Sequence, residues 1–193
     1  MTNLLVFASI EEASATIDHL RARAASPWLY EYSQGLLAIT GIGSFAALAT
    51  LSALTQQIER IYSFGIAGSL HQHHLPGKLY PVARCSKLLW HPKGAEATKG
   101  TGAFHTCPEI ILGTEGLSLI SSDVPIYDHK KIPPTFDLVD MEGYAVAFFA
   151  KMHAKPCKLY KIVSDYCNAS SSSLIKEGLK KHAEHIGQFI ASL

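Results

Sequence analysis

The sequence predicts an α/β fold with three layers, in which helices cover both faces of a mixed, mostly parallel central sheet. Two observations predict it. Short continuous apolar runs alternate with segments of helical spacing along most of the chain. Hydrophobic residues make up 48% of the 193 residues, which is enough to build a substantial core. A chain of this length fits one domain, so we expect residues 1–193 to form a single domain.

The first elements are a strand, a helix and a hairpin. Residues 4–8 form a continuous apolar run, as a strand buried on both faces should, and residues 11–24 follow with helical spacing. Residues 28–32 and 36–40 lie on either side of Ser33-Gln34-Gly35, a pattern that predicts two strands of a hairpin.

A loop, a helix and a strand follow in that order. Gly41-Ile42-Gly43 predicts a tight loop, and Ser44 is the expected N-cap of a helix that continues to residue 58. Residues 61–64 predict a strand. Gly65-Ile66-Ala67-Gly68 should then form a turn in which the backbone can approach a flat ligand closely.

The middle of the chain has a weaker pattern than its ends. It predicts loops at 71–77, 92–107 and 129–134 and strands at 79–84, 87–90 and 117–121. A loop as long as 92–107 is often functional in a compact domain. The last third alternates clearly again, with a segment 138–142 leading into a helix at 144–153, a buried strand at 159–164, and a final helix at 174–193 capped by the serines at 170–173.

Charge and cysteine content exclude several classes of protein. Seventeen Lys and Arg against sixteen Asp and Glu argue against binding to nucleic acid or to an anionic membrane surface. No apolar stretch approaches the ~20 residues of a membrane helix, and the N-terminus lacks the basic start of a signal peptide. The four cysteines form no Cys-x-x-Cys pair, so we expect no cysteine-based zinc site and a cytoplasmic protein with reduced thiols.

Three carboxylates follow predicted strands and should meet at one edge of the sheet. Ligands of open α/β sheets bind beyond the carboxyl ends of the strands. That rule selects Glu12, Met141 with Glu142, and Ser164 with Asp165, without an obvious basic partner. Each acid could cap a helix N-terminus, where negative charge is favoured. Together they could form a catalytic cluster, in which burial makes one carboxyl a base and another an acid.

Five short motifs occur along the chain, in the order Phe7-Ala8-Ser9-Ile10-Glu11-Glu12, Thr40-Gly41-Ile42-Gly43, Gly65-Ile66-Ala67-Gly68, Val139-Asp140-Met141-Glu142-Gly143 and Val163-Ser164-Asp165. In this order they resemble the purine nucleoside phosphorylase/hydrolase superfamily, most closely its 5′-methylthioadenosine/S-adenosylhomocysteine nucleosidases and futalosine hydrolases. The resemblance covers most of the chain, with poor matches between Arg84 and Gly116. It implies a mixed sheet flanked by helices, a homodimer, a nucleoside substrate, and cleavage of an N-glycosidic bond without a metal or organic cofactor.

The resemblance also implies a role for each site residue. Glu12 matches the base that activates water, and Asp165 matches the acid that protonates purine N7. Glu142 matches the carboxylate that holds the ribose 2′ and 3′ hydroxyls, and Met141 matches the residue that packs on the sugar. Ala67 and Gly68 match the turn beside the purine, and the substrate-binding set is completed by Ile66, Ser164 and Ile126. Such a site supplies both proton transfers and stabilises the positive charge that develops on the sugar.

Hydrolysis is favoured over phosphorolysis. None of the four arginines, Arg21, Arg23, Arg60 and Arg84, lies in the motifs, and the charge of Glu12 would repel phosphate. A nucleoside phosphorylase and a non-catalytic nucleoside-binding protein are the alternatives.

Departures from the family pattern bear on the substrate. Ile66 replaces a small polar residue, Pro125 an aromatic and Lys161 an arginine that are usual in methylthioadenosine-type enzymes. The Gly-Ile-Ala-Gly motif looks more like the futalosine hydrolases. Asp165 favours a 6-amino purine, because a carboxylate can accept from the amino group and from protonated N7 together. The expected substrate is therefore 6-amino-6-deoxyfutalosine or futalosine, of menaquinone biosynthesis, with methylthioadenosine and S-adenosylhomocysteine as the alternative.

Other motifs indicate less. Residues 41–46 fit the Gly-x-Gly-x-x-Ala pattern of dinucleotide sites, but the next predicted strand does not end in the acid that the pattern needs. His71, His73 and His74, and the pair His182 and His185, lack the convergent carboxylate partners typical of a metal site. No local signature supports Cys167 as a nucleophile paired with a distant histidine.

Overall fold

The computed structural model describes residues 2–89 and 105–193. The strands are β1 (Asn3–Phe7), β2 (Arg23–Ser26), β3 (Leu29–Tyr32), β4 (Gly35–Ile39), β5 (Arg60–Ser69), β6 (Leu79–Leu89), β7 (His105–Thr106), β8 (Ile110–Ile111), β9 (Leu117–Ser121), β10 (Leu138–Asp140) and β11 (Cys157–Asp165). The α-helices are α1 (Ile10–Leu20), α2 (Ser44–Leu54), α3 (Gly143–Met152) and α4 (Ser171–Ala191). None of these helices is long and apolar enough to cross a membrane.

The strands form a mixed sheet in the order β10-β9-β6-β11-β5-β1-β4-β3-β2. Among the described strands five pairings are parallel and six are antiparallel, so the expected parallel majority is not found. An additional pairing of β10 with β5 closes five of the strands into a barrel-like ring, which the sequence pattern did not indicate. The α/β class and the mixed sheet are confirmed.

Helices pack on both faces of the sheet, as a layered α/β domain requires. On one face α1 and α4 lie against each other and cover a cluster around Phe7, Phe64 and Ile186. On the other face α2 and α3 pack together over Leu51 and Val146. The rings of Phe7, at the end of β1, and Phe64, in the middle of β5, stack at 5.8 Å between centroids.

Several predicted boundaries are wrong, each for a local reason. Helix α1 ends at Leu20 because Arg21 adopts the left-handed conformation at φ 51°, and residues 23–26 form β2 instead of a last helical turn. Gly43, at φ 99°, is the N-cap of α2, so Ser44 is the first helical residue. One continuous strand, β6 (Leu79–Leu89), takes the place of the two strands expected at 79–84 and 87–90, of which residue 90 lies outside the described residues.

Two further predictions differ around the glycine-rich motif and the C-terminal helix. Residues 65–68 are not a turn, because β5 continues to Ser69 and pairs with β11 through them. Helix α4 starts at Ser171, and its N-cap Ser170 makes no side-chain capping bond. The long loop predicted at 92–107 lies largely outside the described residues, and its last described part includes the short strand β7.

Candidate active site

A cavity of about 330 Å³ opens where β1, β5, β10 and β11 end. Its volume is within the ~300–1,000 Å³ range of small-molecule sites. All nine residues selected from the sequence line it: Glu12, Ile66, Ala67, Gly68, Ile126, Met141, Glu142, Ser164 and Asp165. Glu12, Glu142 and Asp165 follow or end strands that are far apart in sequence, and all three line one largely apolar pocket.

Glu12 lies in the first turn of α1 and is 6% exposed. Its Oε2 accepts from the amides of Ala8 and Ser9, both at 3.2 Å, while the Ser9 hydroxyl accepts from the Glu12 amide at 3.3 Å, forming a capping box. Its Oε1 accepts from the Ile66 amide at 2.9 Å. Burial raises the pKa of Glu12 above its ordinary value, against the opposing effects of these amides and of a nearby lysine.

That lysine is Lys161, a basic partner of the acids that the sequence pattern did not predict. It is 2% exposed on β11, and its Nζ lies 2.8 Å from Asp140 Oδ2. Burial acts to lower the pKa of Lys161, but Asp140 and Glu142 outweigh it, so the pKa is raised and the ammonium stays charged. A lysine within the apolar run at 159–163 was the signal that could have identified it.

Gly65 allows the acid and the lysine to approach β5. A Cβ at this position would lie 3.0 Å from Glu12 Oε1 and 3.3 Å from Lys161 Nζ, closer than ordinary van der Waals contact. The glycine in the motif is therefore explained by close side-chain packing on an extended strand. It does not provide a turn.

Glu142 follows β10 and is held by the loop that precedes α2. Its Oε1 accepts from the Gly43 amide at 2.6 Å, so the Gly41-Ile42-Gly43 loop binds a carboxylate of the site. Burial and, after it, repulsion from Asp140 raise the pKa of Glu142 to about 7. The neighbouring Met141 is fixed through its carbonyl, which accepts from the Ser44 hydroxyl at 3.2 Å.

Asp165 ends β11 and is 3% exposed. The β5–β11 register shifts between Val163 and Asp165, which places Asp165 beside Gly68. Such a bulge re-aims a side chain. Oδ2 accepts from the Ser164 hydroxyl at 2.6 Å, and Oδ1 accepts from the Cys167 amide at 2.7 Å.

Gly68 leaves room for Asp165 at the wall of the pocket. A Cβ on Gly68 would lie 2.3 Å from Cys167 Sγ and 3.3 Å from Asp165 Oδ1. Burial raises the pKa of Cys167 to about 12, so its thiol is protonated and is a poor nucleophile. Ile126 and Pro125 line the cavity from the loop that follows β9.

The remaining sequence signals lie outside this cavity. His71 and His74 lie 3.8 and 3.4 Å from Asp137 Oδ1, yet no group of three metal ligands is found in the described parts of the chain. No arginine is among the described residues that line the pocket. Lys161 is not among those lining residues, and it is paired with Asp140, which is one of them.

Known structures have the same fold, whereas no protein-family model and no curated protein matches the sequence. A 5′-methylthioadenosine/S-adenosylhomocysteine nucleosidase (MTAN) of Helicobacter pylori is 17% identical, with a TM-score of 0.81 over 100% of this chain and 97% of its own. The Helicobacter pylori futalosine hydrolase is 16% identical, with a TM-score of 0.81 over 100% and 96%. A Chlamydia trachomatis MTAN is 22% identical, with a TM-score of 0.78 over 98% and 96%.

These likenesses define the class of fold. The chain has the nucleoside phosphorylase/hydrolase fold that these nucleosidases adopt, and the resemblance drawn from the five motifs is confirmed at that level. At such identities the neighbours do not distinguish one nucleoside substrate from another.

Proposed function

We propose that this protein is a purine-nucleoside N-ribosyl hydrolase. The observation that carries the proposal is the convergence of Glu12, Glu142 and Asp165 on one pocket of suitable volume, with the buried Lys161 close enough to Glu12 and Glu142 to affect their pKa values. Three acids around a pocket that otherwise has many apolar lining residues are suited to a reaction in which positive charge develops on the substrate.

In the proposed reaction the C1′–N9 bond breaks and a water oxygen bonds to C1′. Glu12 takes a proton from the attacking water, and Asp165 gives a proton to purine N7, so the base leaves as a neutral molecule. Glu142 accepts hydrogen bonds from the ribose 2′ and 3′ hydroxyls, and Met141 packs on the sugar. After release of the base and the free sugar, Glu12 returns a proton to solvent and Asp165 regains one. Each proton transfer contributes roughly 10²- to 10⁴-fold in rate.

The favoured substrates are 5′-modified nucleosides, futalosine or 6-amino-6-deoxyfutalosine, which would place the protein in menaquinone biosynthesis. Ile66 and Pro125 both line the pocket, and both depart from the methylthioadenosine pattern. The neighbour from Helicobacter pylori that is a futalosine hydrolase supports this choice. Methylthioadenosine and S-adenosylhomocysteine are the second candidate substrates, supported by the neighbouring MTANs.

Phosphorolysis is the less favoured chemistry. No lysine or arginine is among the described residues that line the pocket, the buried Lys161 is paired with Asp140, and Glu12 offers water a base where phosphate would need a donor. We further propose a homodimer. Ile42, at the mouth of the pocket, is 67% exposed and Phe45 is 86% exposed, so a second copy could cover both. The four free cysteines support the proposed cytoplasmic location.

The first experiment incubates the purified protein, without phosphate, with each of the four candidate nucleosides and follows adenine or hypoxanthine by chromatography. Release from either futalosine compound supports the proposal and its substrate class. Release only from methylthioadenosine and S-adenosylhomocysteine supports the nucleosidase and rejects the futalosine assignment. Release that requires phosphate identifies a phosphorylase. No release under any condition favours a non-catalytic nucleoside-binding protein.

A further inference from the structure

The carboxylate of Asp165 is largely occupied by donors of the protein itself. Oδ1 accepts from the Cys167 amide at 2.7 Å and from the Ser171 hydroxyl at 2.5 Å. Oδ2 accepts from the Ser164 hydroxyl at 2.6 Å. A carboxylate has about four acceptor positions, two on each oxygen. Both positions on Oδ1 are filled, so the remaining free position is on Oδ2.

The hydroxyl of Ser171 has only one direction in which to donate. Ser171 is 1% exposed in the first turn of α4, and its Oγ accepts from the Asn168 amide at 2.9 Å. A hydroxyl carries a single proton. Because the Asn168 contact uses Oγ as an acceptor, that proton points to Asp165 Oδ1.

Ser164 differs from Ser171 because it has a second acceptor. Its Oγ lies 3.2 Å from the Ala67 carbonyl oxygen, so its proton can turn away from Asp165 Oδ2 when a base binds. That rotation frees the second position on Oδ2 and leaves Oδ1 filled. The two oxygens of Asp165 are therefore inequivalent before any substrate enters.

We propose that Ser171 is a positioning residue that closes Asp165 Oδ1, so that Asp165 meets the purine through Oδ2 alone, at N7. This inference rests on the proposed function and deepens it. It replaces the sequence-based expectation that the carboxylate accepts from a 6-amino group and from N7 together. Asp165 then does not distinguish 6-amino from 6-oxo purines, so futalosine and 6-amino-6-deoxyfutalosine are equivalent to this residue.

The test compares Ser171→Ala with Ser172→Ala, a control on the same helical turn whose side chain is exposed. Both are assayed on two pairs of nucleosides that differ only at C6, futalosine with its 6-amino analogue and 5′-methylthioinosine with 5′-methylthioadenosine. Loss of the Ser171 hydroxyl opens Oδ1 to the 6-amino group. We expect the ratio of kcat/KM for 6-amino over 6-oxo substrates to rise about tenfold, the effect of one hydrogen bond to a charged acceptor. Ser172→Ala keeps the wild-type ratio.

Ser171→Cys provides a second variant of similar size with a weaker donor, and we expect an intermediate ratio from it. An unchanged ratio in folded Ser171→Ala, with equal losses for both members of a pair, would show that Ser171 is only structural and would overturn the inference. Calorimetry of the binding of free adenine and hypoxanthine tests the inference without turnover. It therefore distinguishes failure of the inference from failure of the proposed hydrolase function. A relative gain for adenine in Ser171→Ala supports the inference even without turnover, and no gain for either base contradicts it.

Discussion

Replacing Glu12 with glutamine removes the proposed base while keeping the size of the side chain. The carboxylate accepts from three backbone amides, two at Oε2 from Ala8 and Ser9 and one at Oε1 from Ile66. Glutamine has one acceptor oxygen and one donor amide. We expect the oxygen to face Ala8 and Ser9, where it keeps two bonds, and the amide to face the Ile66 N–H, where one bond is lost.

The structure sets the size of both effects. One buried amide left without an acceptor costs about 1–3 kcal/mol in the free energy of unfolding. This cost is partly offset, because a neutral amide is cheaper to bury than a carboxyl whose pKa is already raised by burial. Loss of the base costs roughly 10²- to 10⁴-fold in turnover. Activity should therefore fall far more than stability, and nucleoside binding should survive.

The assay measures initial rates of base release with the best substrate, together with the denaturant midpoint and the nucleoside dissociation constant. Asp18→Asn is the matched control, since Asp18 is an exposed acid on the same helix. It should retain wild-type turnover. Full turnover in Glu12→Gln would refute the assignment of Glu12 as the base, and equal losses of turnover and binding would indicate a structural role instead.

Three further predictions concern the groups around Glu12. Because the pKa of Glu142 is raised to about 7, its charge and its grip on the ribose should increase as pH rises through this value, so KM should fall with pH in the wild type and not in Glu142→Gln. Lys161→Met leaves Asp140 as an unpaired buried charge and should cost about 3–5 kcal/mol in urea unfolding, much of which Lys161→Met with Asp140→Asn should recover. Gly68→Ala should lower the free energy of unfolding by about 1–3 kcal/mol, because the new methyl group overpacks against Cys167. Adding Cys167→Ala to Gly68→Ala should recover part of this loss in urea unfolding. Equal stability of the single and the double variant would contradict the packing argument.

Some strands with strong apolar runs, such as β1 and β4, were predicted to within one or two residues, because burial leaves a direct mark on composition. By contrast, β5 continues to Ser69 instead of ending at Phe64. The sequence could not indicate where α1 ends, since Arg21 takes the left-handed conformation without a glycine. Strand β8 has two residues, too few for any periodicity. The closure of the ring depends on pairing of β10 with β5, which local pattern does not encode.

Within the candidate site, the residues at strand ends could be predicted and their supporting contacts could not. Asp140 on β10 and Lys161 on β11 form an ion pair. The apolar run around Lys161 indicates burial, but nothing local to either residue indicates the other as its partner. Ser171 lies among four consecutive serines, of which it alone is buried. Long-range pairing selects these residues, so a single sequence contains little trace of their roles.

Capping and catalysis were alternatives for the three acids, and the geometry separates them. Glu12 caps α1, and the same capping box directs its Oε1 across Gly65 to the Ile66 amide, so the cap also aims the proposed base. Glu142 and Asp165 need another explanation. The Glu142 side chain makes no capping bond to α3, whose first amide donates to Asp140 Oδ2 at 2.8 Å. Because helix capping accounts for one of the three acids at most, their convergence on one cavity favours shared chemistry.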